Sequence, residues 1–321
     1  MSDGVRLTVI RDSRVWRVRS AYALLAAIVL ACGPGNDGGR GDGNNAEPSR
    51  PVRYERRFWF VSAAPGEAPV SAAFDFEVVD DGVGLRRFSS AWLGRGEAWR
   101  PLLDTVVVMA PIREPWRIMP HASLRLIVGD SGAVDALVYG TGPDEVRLLP
   151  GRSTESWVAP DAELVFAPAD MRIAGLTYRG ALLDTRMGYR PGRPAPFADS
   201  ERARQLFLTD GEGSVLTLLA AGSQDEALMW VRHADGTSMF QEAKLERLVP
   251  DEAVDGAPPL EWVVRRGSDG EILARAGALA VHEAGDRRHP RGPALHYPVA
   301  GTLFTGVVPR EVVGFVREGS R

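Results

Sequence analysis

Ala73-Phe-Asp-Phe-Glu-Val-Val79 sets large apolar side chains against acidic ones in strict alternation before closing on two valines. Successive side chains of a β-strand point to opposite faces, so this spacing predicts a strand with two different surfaces. Similar short runs lie on either side: Phe58-Trp-Phe-Val61, Thr105-Val-Val-Val-Met109, Leu124-Arg-Leu-Ile-Val128 and Ala133-Val-Asp-Ala-Leu-Val-Tyr139. Glycine, proline, aspartate and asparagine break the pattern every 8–12 residues, which is the punctuation of an antiparallel all-β chain. Asp81-Gly82, Asp210-Gly211, Asp235-Gly236 and Asp269-Gly270 each separate two apolar runs and read as two-residue hairpin loops. Helical periodicity is nearly absent. Its best candidate, Asp225–Arg232, also reads as a strand around Leu228-Met-Trp-Val231.

An internal repeat organises these strands into two halves. Arg172-Ile-Ala-Gly175-Leu-Thr-Tyr-Arg-Gly180 can be laid on Glu311-Val-Val-Gly314-Phe-Val-Arg-Glu-Gly319 at an offset of 139, with both glycines in register. The halves also open alike, Arg57-Phe-Trp-Phe-Val-Ser62 before Gly66-Glu67 and Arg204-Gln-Leu-Phe-Leu-Thr209 before Gly211-Glu212. Repetition at both ends of each half suggests duplication. The expected division is a first β domain over 54–185, a Pro/Gly/Arg-rich linker over 186–199 and a second β domain over 200–321.

The beginning of the chain carries an address. Arg11, Arg14, Arg17 and Arg19 precede the apolar run Ala21–Ala31, which ends at Cys32, the only cysteine. Charge, a short apolar stretch and small residues at the exit make a secretory signal peptide over 1–31, too short for a membrane span. Val29-Leu30-Ala31-Cys32 resembles the bacterial lipobox, which implies cleavage before Cys32 and its acylation. Gly33 after the cysteine then favours the outer membrane, facing the periplasm. Residues 32–53 are rich in glycine and asparagine and nearly free of apolar side chains, the composition of a disordered tether.

Composition narrows the chemistry. The chain has 38 Lys+Arg against 42 Asp+Glu, and removing residues 1–31 leaves 33 against 40. A mildly acidic body argues against nucleic acid read by bulk charge. Cleavage leaves no thiol other than the acylated one. No Gly-x-Ser-x-Gly elbow and no glycine-rich phosphate loop occur. His282, His289 and His296 recur every seven residues, but Pro290, Gly292 and Pro293 make the segment read as a loop with exposed histidines, and no metal or cofactor is expected.

Gly180-Ala-Leu-Leu-Asp184-Thr-Arg186-Met-Gly188-Tyr-Arg190, the hairpin Leu206–Leu219, Trp230-Val-Arg-His-Ala-Asp235-Gly236 with Leu245-Glu-Arg-Leu248, and the closing Gly314–Glu318 strand together resemble the carotenoid hydratase and AttH-like superfamily. The resemblance implies two tandem antiparallel lipocalin-like domains, barrel or sandwich, with a cavity between them. It also implies a histidine and a tryptophan in the junction segment. Here Met187 stands in the tryptophan's place and no histidine lies between His121 and His233.

Asp184, with Arg186 and Arg190, is the polar group expected at the junction, where pockets form. It is the candidate acid, with a structural ion pair as the alternative. Arg186, Tyr189, Arg190, Trp230 and Trp262 are the candidate ligand contacts, since Trp92, Trp99, Trp116, Trp157, Trp230 and Trp262 exceed what two small cores need. The expected function is a lipid-anchored lipoprotein that binds a lipid or isoprenoid-like molecule in or between two barrels. The alternatives are a hydratase adding water to a double bond through Asp184, and an envelope interaction module with no small ligand.

Overall fold

A computed structural model describes residues 53–63, 68–80, 84–109, 123–129, 133–188, 197, 203–221, 225–249, 260–284, 294–306 and 308–319. The signal segment, Cys32, the tether up to residue 52, Tyr189, Arg190, Trp116, His121, His289 and the Asp81-Gly82 turn lie outside the described residues.

The first sheet is built from β1 (Arg53–Ser62), β2 (Val70–Asp80), β3 (Leu85–Arg95), β4 (Ala98–Met109), β5 (Leu124–Val128), β6 (Val134–Tyr139), β7 (Val146–Pro150), β8 (Glu155–Val158), β9 (Ala162–Ile173) and β10 (Leu176–Gly188). Its order is β4-β3-β2-β1-β10-β9-β7-β6-β5, with β8 on β9, and it forms a half-barrel. The second sheet is built from β11 (Arg204–Thr209), β12 (Val215–Ala220), β13 (Glu226–Arg232), β14 (Ser238–Leu248), β15 (Glu261–Arg266), β16 (Ile272–Ala278), β17 (His282–Ala284), β18 (Ala294–Leu303) and β19 (Arg310–Glu318). Pairing of β16 with β18 closes eight of these strands into a barrel, and β17 adds to β18 as a three-residue edge. The strands read from the quoted runs are all present, and Asp225–Arg232 resolves to strand β13. The fold is tandem lipocalin-like and antiparallel, as the alternation requires.

Three apolar clusters follow from that alternation. Inside the half-barrel, Phe58 and Phe60 of β1 and Phe74 and Phe76 of β2 meet Leu137, Leu148 and Met171 from the far side of the sheet. Inside the closed barrel, Leu206, Leu216, Met229, Leu245, Trp262, Tyr297 and Val316 fill the interior. The third cluster holds the sheets together: Trp59, Leu164, Phe166, Leu183 and Met187 pack on Phe207, Val215, Trp230 and Phe315 from the outer wall of the barrel. β1 is therefore buried on both faces, which explains the unbroken apolar run Phe58–Val61.

The turns show why aspartate precedes glycine so often. The loops that read as two-residue hairpins are longer, over residues 210–214, 233–237 and 267–271. In each the aspartate accepts from the backbone N–H two residues on: Asp210 from Glu212 at 2.8 Å, Asp235 from Thr237 at 2.9 Å and Asp269 from Glu271 at 3.1 Å. The following glycine takes a positive φ, +85° at Gly236. The side chain thus mimics a backbone turn, a geometry open to wider loops.

The repeat also shifts register. Gly175 lies in the β9–β10 turn, with φ +81°, whereas Gly314 lies within β19. Gly180 is the residue in Gly314's structural place. Each sits on the last strand of its sheet against the first, and a Cβ added to either would run into the facing backbone carbonyl, of Val61 for Gly180 and of Phe207 for Gly314. The glycines permit that approach. Gly314→Ala is expected to lower stability by about 1–3 kcal/mol, the usual cost of overpacking. Thermal unfolding with an unchanged midpoint would show that β11 and β19 are not held so close.

Candidate functional site

Within the apolar seam between the sheets runs one row of polar side chains. On the half-barrel wall, Thr185, Arg57, Asp75 and Ser90 are successive cross-strand neighbours on β10, β1, β2 and β3. On the barrel wall, Gln205, Arg317, His296 and His282 are neighbours on β11, β19, β18 and β17. The rows face one another. Arg57 Nη1 donates to Gln205 Oε1 at 2.7 Å, and Gln205 Nε2 donates to Thr185 Oγ1 at 2.7 Å. One step along, Asp75 Oδ2 lies 3.2 Å from His296 Nε2 and 3.6 Å from Arg317 Nε, while Trp59 Nε1 donates to Oδ1 at 3.1 Å. At the outer end, His282 stacks on Trp99, with centroids 4.8 Å apart, and packs against Trp92 at 5.5 Å.

Opposite charges pair in this row among the described residues. Arg57 pairs with Glu55, and Arg53 with both Glu55 and Glu77, so three guanidinium groups with Arg317 meet three carboxylates with Asp75. Burial alone would raise the Asp75 carboxyl. His296, Arg57 and Arg317 outweigh it and hold Asp75 at about 2. Burial pushes the His296 imidazole below its ordinary value, with Arg317 and Arg57 adding to that and Asp75 only partly opposing. Burial, the neighbouring Arg317 and Arg53 lower the Arg57 guanidinium to about 10 against the pull of Glu55 and Asp75, so it stays charged at neutral pH.

A neutral imidazole beside an ionised carboxylate keeps its proton on the nitrogen that faces the carboxylate. For His296 that nitrogen is Nε2, 3.2 Å from Asp75 Oδ2, leaving Nδ1 as a basic lone pair, and neither ring nitrogen makes an aligned hydrogen bond among the described residues. Such a pair can take up and return a proton. The indole nitrogens of Trp92 and Trp99 and the Nε2 of His282 are also buried without a partner among the described residues.

The expected site residues scatter. Asp184 faces the other way, toward Phe58, on the interior side of the half-barrel, because it lies one residue out of phase with Leu183 and Thr185. Its oxygens accept from Arg56 Nε at 3.0 Å and Nη2 at 2.7 Å, and from Arg186 Nη2 at 3.1 Å. Arg186 also meets Glu163 at 3.4 Å. Trp230 is in the seam, stacked near Trp157 with centroids 6.4 Å apart. Trp262 is not at the seam but inside the closed barrel. Tyr189 and Arg190 lie outside the described residues.

The histidines correct the sequence reading. Residues 282 and 296 lie on the strands flanking the Pro/Gly segment and pair directly across β17 and β18. His296 is buried. Their spacing held that signal: a turn centred between two histidines brings them opposite one another. Asp75 was legible too, as a carboxylate between phenylalanines in a strand with two buried faces.

No family model matches the chain, and no curated protein matches it in sequence. Among solved structures, kievitone hydratase from Nectria haematococca aligns with a TM-score of 0.55 at 8% identity, over 83% of this chain and 88% of that one. A protein assigned as an AttH from Nitrosomonas europaea gives 0.48 at 11% identity, over 84% and 92%. CghA with Sch210972 gives 0.38 at 11%, over 84% and 88%. At these identities the likeness is one of fold alone, a tandem lipocalin-like pair of antiparallel sheets shared with kievitone hydratase.

Proposed function

We propose that this is a lipid-anchored envelope protein that holds a largely apolar small molecule at the seam between its two sheets. The observation that carries the reading is the polar row itself. Uncharged nitrogens at Trp92, Trp99, His282 and His296 have no partner among the described residues, inside a wall of Trp59, Phe207 and Phe315. Apolar walls with a few convergent polar groups are the usual make-up of a small-molecule site. The leader and the lipobox-like Val29–Cys32 support anchoring at Cys32, facing the periplasm.

The test uses the full chain expressed with its leader. Wild type is expected in the membrane fraction with fatty-acid label, and Cys32→Ala in the soluble fraction without it. Organic extraction of the purified protein should release an apolar compound visible by mass spectrometry. A protein that yields nothing and does not enhance the fluorescence of cis-parinaric acid is not a carrier of this kind.

A second reading is hydration of a double bond, favoured by one observation, the Asp75–His296 pair with its free Nδ1. Here His296 Nδ1 takes a proton from the water as its oxygen bonds to one carbon of the double bond and returns that proton to the other carbon, while Asp75 fixes the ring. Asp184 is engaged by Arg56 and Arg186 on the other face. Incubating the extracted compound with protein in labelled water should add one labelled oxygen, and His296→Gln should abolish the addition. Addition that persists in His296→Gln would remove this histidine from the chemistry.

A further inference from the structure

The outer end of the row has a feature that binding of a plain hydrocarbon leaves unexplained. Trp92 and Trp99 each keep a buried indole N–H with no acceptor, and both indoles pack on the same imidazole. The sequence makes this deliberate in geometry. Gly94, facing Trp99 across β3 and β4, leaves the space that the indole nitrogen fills, and a Cβ there would collide with it. Phe315 then meets the Trp99 ring edge-on, at 5.5 Å and 85°, fixing its plane. Trp99 is held from two sides.

His282 is held far less. β17 is three residues long, an edge strand paired only with β18 among the described residues. Its buried Nε2 has no partner there, so the ring gives up hydrogen bonding by lying against the indoles. Turning out into water would restore that bond and uncover a face of each indole, beside two N–H groups that have no acceptor among the described residues. A flat ring takes the same place at no loss of stacking, and an oxygen on that ring supplies the acceptor that imidazole does not.

We propose that the Trp92–Trp99 pair is a binding site for a planar, aromatic or conjugated small molecule bearing an oxygen acceptor, and that the His282 ring is a placeholder which this molecule displaces. The proposal rests on the seam being the binding site and names the class of molecule bound there. It assigns the indole N–H groups to the ligand's oxygen and Gly94 and Phe315 to the posture of Trp99.

Two matched probes test it on the purified full chain: 2-acetylnaphthalene, with a carbonyl oxygen, and 2-ethylnaphthalene, without one. The ketone is expected to bind about ten-fold more tightly, the worth of one good hydrogen bond. Trp92→Phe and Trp99→Phe keep an aromatic face and remove the donor, so each should weaken the ketone several-fold and leave the hydrocarbon unchanged. In proton–nitrogen correlation spectra, the two indole N–H signals missing from those variants should move downfield with the ketone alone. His282→Ala should tighten both probes about three- to ten-fold, because it removes a competing aromatic contact. Thermal midpoints guard against misfolding, and NMR of the wild type needs no variant. Equal binding of both probes, or weaker binding in His282→Ala, would overturn the class and the placeholder while leaving seam binding intact. Failure of both probes together with failure of cis-parinaric acid would overturn the seam reading as well.

Discussion

Asp75→Asn is expected to cost about 3–5 kcal/mol of stability, the range for breaking one partner of a buried ion pair. The size follows from what the carboxylate balances. Its side chain is 15% exposed and faces Arg57, Arg317, His296 and the Trp59 N–H. An asparagine keeps the shape and one acceptor but leaves three arginines against two carboxylates and turns an amide N–H toward other donors. Denaturant unfolding should show the midpoint falling with an unchanged slope. A loss under about 1 kcal/mol would mean that the row is solvated like an ordinary surface pair.

The same residue sets the acid limb of the wild-type protein. With a folded value of about 2, Asp75 binds fewer protons in the folded than in the unfolded chain, so its contribution is full above about pH 4 and is lost as pH falls toward 2. His296 has the same sign for a different reason. Its folded value lies below the ordinary 6.5, so the unfolded chain takes up a proton first and stability declines as pH drops below 6.5. Asp75→Asn should therefore flatten the limb between pH 4 and 2. It should steepen the one just below 6.5, because His296 loses the carboxylate that pulls its proton affinity up.

Local rules made the strands readable and hid the site. Alternation in Ala73–Val79 and the continuous run Phe58–Val61 report burial on each face, which is a property of one strand and its immediate neighbours. Asp75 and His296 come from different sheets and meet only because the outer wall of a barrel lies on the outer face of a half-barrel. No periodicity encodes that contact. Asp184 illustrates the cost of counting without faces. Position along the chain puts it at the junction, and a shift of one residue sends it to the other side of β10, while Thr185 reaches Gln205. The repeated glycine was similarly legible in kind and not in register, since Gly180 and Gly175 look alike until the facing carbonyl of Val61 singles one out.

Trp262→Ala is expected to cost about 3–5 kcal/mol, as large a loss as any core truncation, and to leave binding at Trp92 and Trp99 unchanged. Trp262 is 0% exposed, its ring meets Tyr297 edge-on at 4.8 Å, and its Nε1 donates to Glu318 Oε1 at 3.0 Å. Glu318 also lies 3.5 Å from Arg247, so losing the indole removes one of two partners of a buried carboxylate as well as a large apolar surface. Trp262→Phe keeps most of that surface and should cost less, which separates packing from the hydrogen bond. The contrast with Trp99 is the decisive comparison. A tryptophan whose N–H is already satisfied and whose faces are covered by Leu, Val and Tyr has nothing left for a ligand, whereas Trp92 and Trp99 have both a replaceable neighbour and unused donors. If Trp262→Ala kept its thermal midpoint but lost the bound probe, the closed barrel would hold the ligand, and the seam would be an interface alone.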